Sequence, residues 1–191
     1  MGKRAVLLLA MAMAATPSAA GADAVVGAGD LGRLCYEAAR DGAAAGLAGI
    51  GVCTQALSDG AMPQRDRAGT LVNRGIVYLQ SNDINHAIAD FDDAIRIDPS
   101  LGEGYVNRGI ALLRLGGADR EAIATLSIAL AHNPIRPELA YYMRGVAYEL
   151  VGDTASAYAD YNAALAARPG WQQAVDQLKR FSVERRSVGR G

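Results

Sequence analysis

The sequence predicts an all-α fold, a solenoid of antiparallel helix pairs that is closed by a C-terminal capping helix. An Arg-Gly motif recurs at residues 74–75, 108–109 and 144–145, in steps of 34 and 36 residues. After each motif the sequence has a short turn and then a run of apolar residues spaced to lie on one face of a helix. A proline follows each run and marks the end of the unit. Self-similarity at such a period is typical of stacked helical hairpins.

The second apolar run of each unit occupies positions i, i+1, i+4, i+7 and i+8, which share one face of an α-helix. Proline cannot continue the helix that precedes it, so Pro99, Pro134 and Pro169 mark the ends of the three units. The runs are Ala87, Ile88, Phe91, Ala94 and Ile95; Ala122, Ile123, Leu126, Ala129 and Leu130; and Ala157, Tyr158, Tyr161, Ala164 and Leu165.

Turn residues separate the two helices of each unit. Asp83, Asp119 and Asp153 stand where a short acceptor side chain can cap the free N–H groups of the second helix. Gly116-Gly117 and Gly152 stand where a first helix ends and a left-handed residue is favoured. Each unit is therefore predicted to be two helices joined by a tight turn.

The units resemble the tetratricopeptide-repeat (TPR) family, whose period is about 34 residues. The family pattern has a glycine and an aromatic residue in the first helix, then an alanine, an aromatic residue, an alanine and a proline. Two units match all six positions, whereas the middle unit has Leu112 and Leu126 in place of the aromatic residues. The matches are Gly75, Tyr78, Ala87, Phe91, Ala94 and Pro99 in the first unit, and Gly145, Tyr148, Ala157, Tyr161, Ala164 and Pro169 in the third.

The resemblance gives the predicted organisation of the chain. A degenerate TPR-like hairpin precedes the three repeats, and an amphipathic helix caps the apolar end that stacked repeats expose. The predicted bounds are 30–63 for the leader hairpin, 68–101, 102–136 and 138–171 for the repeats, 170–182 for the cap and 183–191 for a disordered basic tail.

The first twenty residues have the layout of a secretory signal peptide. A basic start, Lys3-Arg4, precedes a short apolar stretch and then small residues, with cleavage expected near 20–24. The stretch is too short to span a bilayer, and a non-cleaved interfacial helix is the alternative. Loss of Lys3 and Arg4 takes the net charge from −1 to −3, which argues against nucleic-acid binding.

Export changes the interpretation of the two cysteines, Cys35 and Cys53. Disulfides persist in oxidising compartments, so an even pair in an exported chain predicts a bridge. Such a bridge would stabilise the glycine-rich leader hairpin. Two free, buried cysteines on adjacent helices are the alternative.

An arginine precedes each repeat glycine, and an acidic residue follows sixteen positions later in two of the units. Arg74 and Arg144 are expected to pair with Asp90 and Asp160 inside their own repeats, whereas Thr125 breaks this pairing in the middle unit.

Residues for catalysis or metal binding are scarce. His86 and His132 lie in different repeats, and neither has a second ligand at helical spacing. The sequence contains no nucleophile elbow, Gly-rich phosphate loop or His-Glu zinc helix. We therefore expect no enzymatic activity, no cofactor and no metal.

The resemblance implies that the first helices line a concave, partner-binding surface. Asn73 and Asn107 recur at one place on this surface, where an amide can both donate to and accept from a peptide backbone. An apolar stripe at helical spacing is equally expected in a core, so both interpretations stay open. The candidate groove residues are Val72, Asn73, Ile76, Glu103, Val106, Asn107, Ile110, Arg114, Tyr142, Met143 and Glu149.

The chain looks like exported TPR proteins of Gram-negative bacteria. The resemblance implies a periplasmic or secreted scaffold that binds a protein or peptide, with no transmembrane segment after signal cleavage. The alternative is a self-associating structural subunit, and hence a homo-oligomer, or an accessory regulator of an envelope enzyme complex.

Overall fold

The computed structural model describes residues 29–42 and 46–188, without the side chains of 46–47 and 182–188. Over these residues it contains nine α-helices and no strand, which confirms the predicted all-α class. None of the described helices is both long enough and apolar enough to cross a membrane. The predicted signal peptide, residues 1–20, lies outside the described residues.

The helices form four antiparallel pairs followed by a single helix. Each helix contacts its partner and the neighbouring pair, so the contacts run along one stack. The bounds are α1 Gly29–Asp41, α2 Gly46–Leu57, α3 Gln64–Gln80, α4 Ile84–Ile97, α5 Gly102–Leu115, α6 Asp119–Ala131, α7 Pro137–Val151, α8 Thr154–Ala167 and α9 Gln172–Val188.

Each repeat pair is held together by a close approach at its glycine. A Cβ atom added to any of these glycines would clash with a buried side chain of the second helix, so only glycine permits this approach. The clashing distances would be 2.5 Å to Phe91 at Gly75, 2.6 Å to Leu126 at Gly109 and 2.8 Å to Tyr161 at Gly145. The middle repeat keeps the same architecture although a leucine fills the aromatic position.

Two of the three predicted helix caps are confirmed. The side chains of Asp83 and Asp153 accept hydrogen bonds from the backbone N–H groups of residues 86 and 156. The prediction for Asp119 is wrong, because Asp119 is the first residue of α6 and Ala118 holds the cap position. The extra glycine in this turn moves Asp119 one place into the helix. Its negative charge there still interacts favourably with the positive N-terminal end of the helix dipole.

The predicted disulfide is confirmed. Cys35 of α1 and Cys53 of α2 are bonded and fully buried. The leader hairpin is also tied to the first repeat, because Gln80 donates a hydrogen bond to the carbonyl oxygen of Ala39 at 2.8 Å. Arg67 donates to the carbonyl oxygens of residues 57 and 59, at the end of α2, at 2.9 and 2.8 Å. The hairpin therefore stacks as a fourth unit.

The capping helix α9 is longer than predicted. It continues past residue 182 to Val188, so residues 183–188 are helical where a disordered tail was expected. Residues 189–191 lie outside the described residues. At its start, Trp171 and Ala174 are buried, and the Trp171 ring lies 5.0 Å from the ring of Tyr142 in α7.

Replacing both cysteines by alanine should loosen the leader hairpin and leave the far end of the stack intact. The bridge closes a sequence separation of 18 residues, and a loop of this size corresponds to about 3 kcal/mol on the chain-entropy estimate. Repeat arrays couple only neighbouring units strongly, so the loss should stay local. Hydrogen exchange measures this: α1 and α2 should exchange faster, with α7 and α8 as the internal control. Unchanged exchange in α1 and α2 would contradict the stabilising role.

Candidate functional site

The repeat arginines mark the outer side of the first helices. Arg74 donates to both carboxylate oxygens of Asp90, at 2.8 and 2.7 Å, and to Thr54 of α2 at 3.1 Å. Arg144 makes the same bidentate contact with Asp160, at 2.8 Å for both bonds. Hydrogen bonding to these carboxylates raises the pKa of both guanidinium groups. The two predicted pairs are thus confirmed, and each arginine faces the layer of second helices.

The middle repeat replaces the missing pair by a different set of contacts. Arg108 donates to Thr125 at 3.1 Å and finds its carboxylates elsewhere. These are Asp92 of the preceding repeat, at 2.6 Å, and Glu121 of its own repeat, at 2.8 Å. Arg108 therefore has the same orientation as the other two arginines.

The arginines locate the opposite side of each first helix. A residue two positions further along is turned by about 200° around the helix axis, so it projects away from the second helices. Ile76, Ile110 and Val146 occupy this position in α3, α5 and α7. We call the surface that they form with Asn73 and Asn107 the inner face. It corresponds to the predicted concave surface.

The inner face is buried in the chain. Ile76 is 0% exposed and Ile110 is 4% exposed, and Asn73 and Asn107 are 0% exposed. Seven of the eleven candidate groove residues are thus buried, and their role as a partner-binding surface stays a prediction. The seven are Val72, Asn73, Ile76, Glu103, Val106, Asn107 and Ile110.

Two of these seven have roles inside the stack. Val72 lies between α3 and α5. A Cβ atom added to Gly104 of α5 would lie 4.0 Å from the Val72 side chain, so the two helices are in close contact there. Glu103 accepts a hydrogen bond from the backbone N–H of Ile135 at 2.8 Å and so anchors the loop between α6 and α7. Both side chains contribute to the stability of the array.

The capping helix binds two further candidates. Gln177 of α9 donates to the hydroxyl of Tyr142 at 3.2 Å, and burial raises the pKa of that hydroxyl. Glu149 accepts from the hydroxyl of Tyr161 at 2.5 Å and from Arg180 of α9. Tyr142 and Glu149 therefore hold the cap in place, and their role as groove residues stays a prediction.

The last two candidates lie beside the inner face. Met143 is half-buried, and the exposed Arg114 donates to the carbonyl oxygen of Leu79 at 3.0 Å. Gln80, which is not among the eleven candidates, adds a polar group here. Its Oε1 atom is buried and accepts no hydrogen bond from the described residues, whereas its Nε2 atom donates to the carbonyl oxygen of Ala39.

The described residues contain no group of three histidine, cysteine or acidic residues placed to hold a metal ion. The inner face offers apolar side chains and neutral amides, which suit a polypeptide better than a charged small molecule.

Known proteins share this repeat architecture. The family model of the tetratricopeptide repeat matches residues 68–101 and 139–170, the first and third repeats. No curated protein matches the chain in sequence.

Several solved structures match the fold. The TPR protein TTC0263 of Thermus thermophilus is 20% identical over 93% of this chain and 89% of its own, with a TM-score of 0.65. MamA is 24% identical over 68% of this chain and 72% of its own, with a TM-score of 0.59.

The first TPR domain of Spaghetti (RPAP3) is 26% identical over 61% of this chain and 91% of its own, with a TM-score of 0.58. The tetratricopeptide-repeat model thus matches two of the three repeats in sequence, and all the described helix pairs are joined in one stack of the same architecture.

Proposed function

We propose that this chain is an exported interaction scaffold that holds a polypeptide segment against the inner face of α3 and α5, with no catalysis of its own. The observation that carries the proposal is the composition of that face. Apolar side chains and two amides project from successive first helices, on the side opposite the second helices.

The chemistry of the face suits an extended backbone with small apolar side chains. Ile76 and Ile110 offer apolar area, and Asn73 and Asn107 stand one repeat apart. The side-chain nitrogen of Asn107 donates to the carbonyl oxygen of Glu103 at 2.9 Å, and an amide has further donor and acceptor capacity for a peptide group. Packed helices are separated by about 8–10 Å, which is the reach of about three residues of extended chain. The buried Oε1 of Gln80 adds an acceptor for a backbone N–H.

A relative supports binding at such a surface. The solved structure of the Spaghetti (RPAP3) domain is described as bound to the HSP90 peptide SRMEEVD. The clamp that holds a C-terminal carboxylate in chaperone-binding family members combines lysine, arginine and asparagine. In this chain only the asparagines match, and Arg114 is engaged with the carbonyl oxygen of Leu79. We therefore propose an apolar internal segment as the ligand, not a carboxylate terminus.

The predicted leader and the disulfide together support a periplasmic or secreted location. A Cys35–Cys53 bridge is favoured in an oxidising compartment and is rare in the cytosol. The partner would then be another exported polypeptide.

The test is capture of polypeptides from an envelope or secreted extract by the chain that begins at Gly21, followed by affinity measurement with the purified partner. Replacing Asn73 and Asn107 by leucine preserves volume and removes the amides, so affinity should fall at least about tenfold, or 1.4 kcal/mol. Asn162→Leu, on the exposed side of α8, is the matched control and should bind like the wild type.

Equal affinity of the Asn73/Asn107 variant and the wild type would move the binding site away from the inner face. Capture of only a second copy of this chain would favour the alternative of a self-associating subunit. A molecular mass of the purified chain that rises with its concentration would confirm self-association.

A further inference from the structure

Arg114 lies at the edge of the inner face, near the end of α5. It stands four positions after Ile110, about one helical turn, so the two side chains project on the same side of the helix. Its Nη1 atom donates a hydrogen bond to the carbonyl oxygen of Leu79 in α3 at 3.0 Å. The side chain therefore joins two neighbouring first helices beside the surface against which we place the polypeptide.

The equivalent residue of the first repeat makes the same kind of bond without a charge. Gln80 stands four positions after Ile76. Its Nε2 atom donates to the carbonyl oxygen of Ala39 in α1, the preceding first helix, at 2.8 Å. A neutral amide is thus sufficient to join a first helix to the one before it. The positive charge of Arg114 is not required for this bond.

The repeat arginines on the outer side of the stack differ from Arg114, because each is paired with one or two carboxylates. Arg74, Arg108 and Arg144 make ion pairs at 2.6 to 2.8 Å. Among the residues that the structure describes, Arg114 pairs with no carboxylate, and its hydrogen bond goes to an uncharged carbonyl oxygen. Part of the side chain reaches solvent, yet neighbouring groups desolvate its guanidinium and so lower its pKa. A desolvated charge is unfavourable without a counter-charge, which a bound carboxylate would supply.

We propose that Arg114 binds the side-chain carboxylate of an aspartate or glutamate in the polypeptide held against the inner face. This inference deepens the proposed function and rests on it, because it adds an acidic residue to the same ligand. A guanidinium has five N–H donors, and the bond to Leu79 uses one of them. The same bond restrains the side chain, so less conformational freedom is lost when the carboxylate binds.

The position of Arg114 determines where the acidic residue stands in the ligand. One helical turn separates Arg114 from Ile110, or about 5–6 Å along α5. An extended chain advances about 3.3–3.6 Å per residue, so the acidic residue should stand about two positions from the apolar residue that contacts Ile110. The ligand is then an apolar internal segment with an acidic residue at one end. A C-terminal carboxylate offers the same chemistry from another source, and the experiment separates the two.

Selection from a library of random peptides tests the proposal. The peptides are displayed inside a carrier protein, so that none has a free C-terminus, and are selected on the chain that begins at Gly21. Peptides selected by the wild type should be enriched in aspartate or glutamate close to an apolar residue, and Arg114→Gln should abolish that enrichment. Glutamine at this position keeps a donor for the carbonyl oxygen of Leu79, as Gln80 does for that of Ala39, but carries no charge.

Matched variants separate the effect of the charge from effects on the fold. Arg120→Gln removes the same charge from an exposed position of α6 and should retain the enrichment, as should Arg114→Lys, which keeps the charge. A selected aspartate peptide with an amidated C-terminus should bind the wild type about tenfold more tightly than its asparagine analogue, and Arg114→Gln should bind both equally. If that variant does not fold, the tenfold difference in the wild type should still shrink as the salt concentration rises.

Selected peptides without acidic residues, or an acidic enrichment that persists in Arg114→Gln, would overturn the proposal. So would binding that requires a free C-terminus and is insensitive to the aspartate, since the terminal carboxylate would then be the ligand. Failure of the proposed function is distinguishable. Affinity that depends on Asn73 and Asn107 but not on Arg114 refutes this inference alone, and the converse refutes the inner-face site alone. Enrichment of no peptide would contradict both.

Discussion

The close approach of two helices at a single glycine determines the geometry of each repeat. At Gly109 there is no space for even a methyl group, because Leu126 of the partner helix fills it. This contact fixes the rotation of the first helix about its axis. The arginine one position earlier is then directed toward the second helices, and the isoleucine one position later is directed away from them. The stability of the pair and the composition of the inner face thus have one common cause.

The middle repeat shows how much variation this arrangement tolerates. It lacks the aromatic residue and the acidic partner inside the repeat, yet Arg108 is oriented like its counterparts because Asp92 and Glu121 supply the carboxylates. The glycine contact and the cross-repeat ion pairs both hold the register of the stack. A repeat can therefore lose one set of contacts and keep its fold.

Periodicity was sufficient to predict the helix pairs, the close glycine contacts and the two bidentate ion pairs, because each depends on residues at fixed spacing within one repeat. The disulfide followed from two cysteines and the predicted export signal. The extent of α9 did not follow, because its last turns have no proline or glycine to mark an end and carry several charges. The cap at Ala118 was missed because one inserted turn residue shifts the start of the helix.

The role of the candidate groove stays a prediction, for a physical reason. Sequence spacing assigns a residue to a face of a helix but does not reveal what lies against that face. Tyr142 and Glu149 are on the expected side of α7, yet α9 binds both. Ile76 and Ile110 are likewise on the expected side and are buried. Burial of such a face depends on segments that are distant in sequence, which a pattern within one repeat cannot identify.

A double-mutant cycle between Gly109 and Leu126 tests the central claim, that complementarity at this contact sets the geometry of the pair. Gly109→Ala should lower the free energy of unfolding by about 1–3 kcal/mol in the wild type and by far less when Leu126 is alanine, because the space is then empty. The expected coupling exceeds about 1 kcal/mol. Gly51, whose added Cβ meets nothing within 4 Å, is the control and should show no coupling to Leu126. Equal effects of Gly109→Ala in both backgrounds, measured by urea unfolding, would contradict the account.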